Sequence, residues 1–445
     1  MDIPLSLTPE VIERSTTQAR ASDARHVLTA VVKAARAVLS PGVDGPWARQ
    51  LFGHFGPLEA ACLRRWREAE DVTIARVDWF LDGAGRHRAL ELNATIPAME
   101  AYSDAAAQAW IEKLGAFAGL EAGAIQRLVA AHGSNAEELR RSIVAHSGRG
   151  PEERPSIAII HREADAQLRE LESLTRRFRA AGHEVRLAVA REVKLQPDGR
   201  VTIGSFEPDV LYRHIFARRM EPGSDLERIA RGEARKELQN RVNGQFEVKG
   251  LLAELHRVVT EQDGAGLHLS ETEIATVRTV VPWTRLLARG AGMGPNGERV
   301  SDLGDLVMSD PAHLVLKKSW DYGGKSVLLG PDVLAAEGAA GWERRVREAL
   351  AEGPGSWVVQ SLVASPRQKH LVVQDGRDAA WEDVFVDAST FTATGNDAVP
   401  GGGVVRFART GVVNIVGGGG VAPLIDASVA EQLADAAEHA LPRPD

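Results

Sequence analysis

Residues 76–93 read Arg76-Val-Asp78-Trp-Phe-Leu-Asp-Gly-Ala-Gly-Arg-His-Arg-Ala-Leu-Glu91-Leu-Asn93. The pattern is that of two short strands joined by a tight turn at Asp82-Gly83. Glu91 and Asn93 stand two residues apart, so a strand presents both on one face. Asp78 lies near the matching end of the partner strand, and three oxygen ligands can converge. Hard oxygen donors of this kind suit Mg²⁺, which takes few carboxylates and completes its shell with nucleotide phosphates. An exposed hairpin with polar residues on its wet face carries the same pattern, and spacing alone leaves both readings open.

The rest of the chain narrows the classes. At 445 residues, 44% hydrophobic and 26% charged, it has the composition of a soluble globular protein of two or three domains. A net charge of −8 argues against a nucleic-acid partner, which requires a basic face. The single cysteine, Cys62, cannot form an internal disulfide and reads as a buried thiol on an amphipathic helix. No apolar run reaches the roughly 18 residues of a membrane span, and the first residues lack a signal-peptide pattern. The expectation is a cytoplasmic protein with no membrane partner. Nothing in the sequence sets an oligomeric state.

Three regions follow from the patterning. Residues 1–150 read as mostly helical around the hairpin, with 1 to about 70 helical throughout. Ser147-Gly-Arg-Gly-Pro-Glu-Glu-Arg-Pro155 marks a boundary. Residues 151–275 begin with strand, helix and strand, a βαβ unit that predicts a small open α/β domain. No Gly-x-Gly-x-x-Gly follows the first strand, so a dinucleotide site has no support. Residues 276–445 alternate short strands with Gly-rich turns, including strands over 357–363 and 412–416.

Candidate binding residues lie in this last region. Lys317 ends an apolar strand and leads into Gly323-Gly324-Lys325, where glycines let backbone N–H groups approach phosphate oxygens. A plain β-turn explains the same residues. Gln360-Ser361-Leu362-Val363 can pair its backbone with a purine edge, or can be a core strand. Arg406 and Asn414 read as strand residues beside glycine runs, where an arginine can clamp a phosphate. Arg213, His214 and Arg218 form either an acid-binding group or a cluster of surface arginines. No zinc pattern occurs among the histidines, and no Gly-x-Ser-x-Gly elbow is present.

Together these segments resemble the ATP-grasp superfamily. Arg76-x-Asp78…Leu-Glu91-x-Asn93…Pro97-x-Met99 is similar to the C-terminal metal motif of D-alanine–D-alanine ligases. It departs from it in the three residues between Asn93 and Pro97 and in Ala98, where glycine is usual. Here the motif precedes Lys317, which is the order of the circularly permuted ATP-grasp proteins, including eukaryotic-type glutathione synthetase and glutathionylspermidine synthase. Val315-Leu-Lys317…Gly323-Gly324-Lys325 resembles their phosphate loop, Gln360–Val363 their adenine hinge, and Arg406…Asn414 their closing Gly-rich segment. Lys249, at the head of a helix, resembles a second nucleotide lysine.

The resemblance implies a permuted ATP-grasp fold of α/β (α+β) class with a small open α/β pre-ATP-grasp domain. It implies ATP and Mg²⁺, with Asp78, Glu91 and Asn93 as metal ligands and Arg76 beside the reacting oxyanion. The implied activity joins a small-molecule or peptide carboxylate to an amine through an acylphosphate. A phosphotransferase acting on a small-molecule hydroxyl is the alternative.

Overall fold

A computed structural model describes residues 3–67, 71–321, 324, 326–374, 378–395, 402–415 and 417–440, with only the backbone of 439 and 440. The protein is a mixed α/β structure with thirteen α-helices and several sheets among the described residues. No described helix is long and apolar enough to cross a membrane.

The hairpin forms where its alternation places it, as strands Ala75–Leu81 and His87–Asn93. Asp82 organises the turn, its carboxylate accepting from the N–H groups of Ala84 and Arg86, and Gly85 takes the positive φ that closes it. The hairpin belongs to the largest sheet. Its order is Gln368–Val373, Leu5–Ser6, Gly420–Ala422, Gly403–Ala408, Ala380–Thr392, Ala75–Leu81, His87–Asn93. Gln368–Val373 also pairs with Ala380–Thr392, so five strands close into a ring and the hairpin continues from it. Residues two apart, Val384 with Val386 and Val405 with Phe407, join one apolar cluster of this ring.

Three readings of the sequence change here. The first residues are not helical throughout, because strands Leu5–Ser6 and Glu10–Ile12 precede the helix Arg14–Leu39. Strands of two and three residues carry no period, and the partners of Leu5, Val373 and Val421, lie at the other end of the chain. Residues 412–415 are not a strand, so Asn414 sits in an irregular segment. The Trp357–Ser361 strand likewise stops before Leu362.

The helix Arg14–Leu39 turns its Ala and Val face to the hairpin. Val77, Trp79, Ala89 and Leu92 share its core with Leu251, Leu252 and Leu255 of the helix Lys249–Gln262. Trp79 is fully buried and its indole N–H donates to Thr390 Oγ1 at 3.0 Å, tying the hairpin to Ala380–Thr392.

The βαβ spacing is realised as Ile157–His161, the helix Leu168–Ala180 and Val185–Val189. The four-stranded sheet is parallel throughout, with Leu238–Gln239 and Val210–His214 on the other side of Ile157–His161. A third, antiparallel sheet runs Thr284–Leu286, Trp357–Ser361, Leu314–Lys318, Val327–Leu329.

Glu170 joins the parallel-sheet region to the segment after the hairpin. Its carboxylate accepts from Met99 N at 2.8 Å and Ala101 N at 3.1 Å, at the start of the helix Glu100–Phe117. Met99 holds a left-handed backbone with φ 102°. Burial pushes the Glu170 carboxyl up to about 7, against the pull of those two N–H groups. Glu100, buried beside it, is raised well above the usual range by burial and by Glu170. A carboxyl raised on folding holds its proton best in the folded state, so its stabilisation is lost as pH rises through the folded value. Thermal stability of the wild type is expected to fall between about pH 4.5 and 7, from the unfolded to the folded value. Glu170→Gln keeps an oxygen for both N–H groups and is expected to flatten that fall, as read by melting curves across the range.

Candidate active site

A cavity of about 420 Å³ opens between the hairpin, the third sheet and the segment following Gly403–Ala408. The hairpin contributes Arg76, Asp78, Glu91 and Asn93, and the third sheet contributes Lys317, Gln360 and Ser361. Lys249 enters from its helix, Leu362 and Val363 from the end of the Trp357 strand, and Arg406 and Asn414 from the closing segment. Gly324 lies on the rim with φ 68°, where a Cβ would meet Val412 Cγ1 at 2.8 Å. Only glycine fits there, so Gly324 packs closely against Val412 of the closing segment. Gly323 and Lys325 lie outside the described residues.

Register places Asp78 directly across from Glu91 and Arg76 across from Asn93. Arg76 donates through Nε to Asp78 Oδ1 at 2.7 Å, through Nη2 to Oδ2 at 3.1 Å, and through Nη1 to the Ala98 carbonyl at 2.9 Å. Arg406 Nη2 reaches Asp78 Oδ2 at 2.8 Å and Asp387 Oδ2 at 2.6 Å. Asn93 Nδ2 donates to the same Asp78 Oδ2 at 3.1 Å. Burial would raise the Asp78 carboxyl, but Arg406 and Arg76 outweigh it and hold it far below the carboxylate range.

Asp387 is a residue that sequence reading passed over. It lines the cavity, is 3% exposed and accepts from Ser389 Oγ at 2.7 Å. Burial pushes its carboxyl up to about 6, with the Asp78 charge adding and Arg406 opposing. On a strand rich in carboxylates nothing marked it, since the arginine it binds comes from a neighbouring strand. Asp321 also lines the cavity and was passed over; its carboxylate accepts from Ser326 and its carbonyl from Lys249 Nζ.

On the other wall Lys317 is buried, and its ammonium donates to Gln360 Oε1 at 2.7 Å. Gln360 Nε2 donates in turn to Thr284 Oγ1 at 3.0 Å, so this side chain fixes the lysine. Burial lowers the Lys317 ammonium to about 8, with Lys249 adding and Glu91 opposing. Glu91 pairs with Lys249 at 3.2 Å, which together with Lys317 outweighs its burial and lowers its carboxyl. Of the hinge donors, Ser361 N–H goes to the Trp283 carbonyl and Leu362 N–H to that of His313. Val363 N–H keeps no partner among the described residues.

The metal reading fits in part. Glu91 and Asn93 offer oxygen to the cavity, whereas Asp78 is spent on guanidinium groups. No cluster of three or more His, Cys, Asp or Glu side chains arranged for a metal occurs among the described residues.

Arg213 is neither a surface arginine nor part of the cavity. It is fully buried and donates to the carbonyls of Thr95, Ile215, Asn240 and Arg241. With Glu247, whose carboxylate takes the N–H groups of Ala94 and Thr95, it pins the loop behind Asn93. His214 lines the cavity and Arg218 is exposed.

No family model matches the chain, and no curated protein matches it. Among solved structures, a glutathione synthetase-like effector from Globodera pallida, in its apo form, matches with a TM-score of 0.57 at 12% identity. The match covers 95% of this chain and 90% of that one. At that identity the likeness is one of fold: this chain has the fold of a glutathione synthetase-like protein.

Proposed function

We propose that this chain is an ADP-forming, ATP-dependent carboxylate–amine ligase built on a circularly permuted ATP-grasp fold. The observation that carries this reading is convergence: Glu91 and Asn93 of the early hairpin share one cavity with Lys249, Lys317, Val363 and Arg406 from far downstream. That is the combination of hard oxygen donors, fixed cations and a hinge donor that a metal–nucleotide requires.

In this reading Val363 N–H and the apolar side chains beside it hold the adenine, and Lys317 and Lys249 face the phosphates. Mg²⁺, bound through Glu91 and Asn93, would neutralise phosphate charge during transfer. Arg76 and Arg406 hold the acid substrate's carboxyl group as it accepts the γ-phosphoryl group. They then stabilise the oxyanion formed when the amine attacks the acylphosphate. Gly324, packed against Val412 beside the cavity, helps to keep water from that anhydride.

The test is incubation of the full chain with Mg²⁺, ATP and panels of carboxylic acids, amino acids and polyamines. ADP and phosphate release with a product equal in mass to acid plus amine less water is expected. ADP with a phosphorylated acceptor identifies a phosphotransferase instead, and absence of ADP with every pair defeats both.

Lys317 gives a further expectation. An ammonium titrating near 8 is half neutral at that pH, and a polyanion beside it raises its pKa. Nucleotide binding is therefore expected to take up protons near pH 8 and to weaken as pH rises further. Calorimetry in two buffers of different ionisation enthalpy measures the uptake, and Lys317→Met is expected to remove it.

A further inference from the structure

We infer that Asp78 is not a metal ligand but a positioning residue, the counter-ion that sets Arg76 and Arg406 as an anion-binding pair for the substrate carboxyl group. This assignment rests on the ligase reading above, and it departs from the role that the hairpin motif suggests.

A carboxylate has about four lone-pair sites, and Asp78 receives four N–H donors. Arg76 Nε takes Oδ1; Arg76 Nη2, Arg406 Nη2 and Asn93 Nδ2 take Oδ2. The residue is 2% exposed. Oδ2 is fully taken while Oδ1 accepts a single bond, and a dication on either oxygen would lie against two buried cations. Glu91, directly across the hairpin, is different: its side chain is 31% exposed and its ion pair is with Lys249. Asn93 is turned by its bond to an acceptor-only carboxylate, so its amide oxygen is left for other partners.

The arginines are incompletely used. Arg406 is 9% exposed and lines the cavity, yet its Nε is buried with no hydrogen-bond partner. An unmet guanidinium N–H on a residue that lines the cavity leaves that side chain with capacity for a ligand's acceptor oxygen. Two arginines and two aspartates make the cluster neutral when all are charged. A proton on Asp387, whose carboxyl is raised to about 6, would leave one net positive charge for an incoming carboxylate.

Three measurements on the full chain decide this. Binding of Mn²⁺ with a non-hydrolysable ATP analogue, read by electron paramagnetic resonance, is expected to stay within about twofold of wild type in Asp78→Asn, whose amide oxygen still accepts from Asn93 Nδ2. In Glu91→Gln it is expected to weaken at least about tenfold. Equal losses in the two variants overturn the assignment. The second measurement needs no variant: in wild-type crystals grown with Mn²⁺ and the analogue, the anomalous peak is expected beside Glu91 and away from Asp78. A peak within about 2.2 Å of an Asp78 oxygen overturns it.

The third needs no nucleotide. Phenylglyoxal labelling, mapped by mass spectrometry, is expected to modify Arg76 and Arg406 at least about fivefold faster in Asp78→Asn. Labelling of the fully buried Arg213 is expected to stay unchanged. Unchanged rates at Arg76 and Arg406 overturn the clamp. Failure of the wild type to bind the Mn²⁺–nucleotide defeats the ligase reading, while the labelling result still decides whether Asp78 holds the arginines.

Discussion

Asp78→Ala is expected to cost about 3–5 kcal/mol of folding stability, the range for removing one partner of a buried charge network. The substitution deletes four accepted hydrogen bonds at a site 2% exposed. Arg76 would keep the Ala98 carbonyl, and Arg406 would keep Asp387 and Ser389. Two buried cations would then share one carboxylate whose own pKa is raised. The pH dependence has a definite sign. Asp78 is held below its unfolded value, so its contribution is present above the ordinary aspartate range and lost as pH falls through the folded value. Urea denaturation at neutral pH measures the cost through a shifted midpoint. A midpoint equal to that of the wild type would mean that the network adds nothing to folding.

Glu91→Gln is expected to lower ATP-dependent turnover by about 10²–10³-fold or more while leaving the fold intact, because it removes a charge aimed at a developing phosphate charge. Glu91 is partly exposed, and among the described residues its ion pair is with Lys249. An amide of the same shape leaves the His87–Asn93 strand pairing untouched. The two variants thus fail in different ways, Asp78→Ala in folding and Glu91→Gln in chemistry. Melting curves and ADP release measured side by side separate them. Full ligation by Glu91→Gln would remove Glu91 from the metal site.

The hairpin was legible because it obeys local rules. Alternation gave its strands, Asp82-Gly83 the place of its turn, which the structure closes two residues later at Gly85, and the two-residue step from Glu91 to Asn93 its face. The parallel sheet was legible for the same reason, through the unbroken apolar run Ile157–Ile160. What stayed hidden is non-local. Leu5–Ser6 is a strand only because Val373 and Val421 flank it. Asp387 differs from other strand carboxylates only through Arg406 and Ser389, and Arg213 through four backbone carbonyls. Asp78 shows the limit most clearly: spacing brought it to the right cavity, while its four donors, two of them from one side chain two residues away, decide what it does there.

The ring of strands has a consequence for how this chain comes off the ribosome. Leu5–Ser6 occupies a slot between Gln368–Val373 and Gly420–Ala422, and the hairpin needs Ala380–Thr392 at its edge. Leu5–Ser6 and the hairpin must therefore wait for strands made far later before their sheet exists, whereas the contiguous parallel sheet can close first. Until then the edge of the hairpin that pairs with Ala380–Thr392 is open, an unpaired strand of the kind that draws chaperones to a nascent chain.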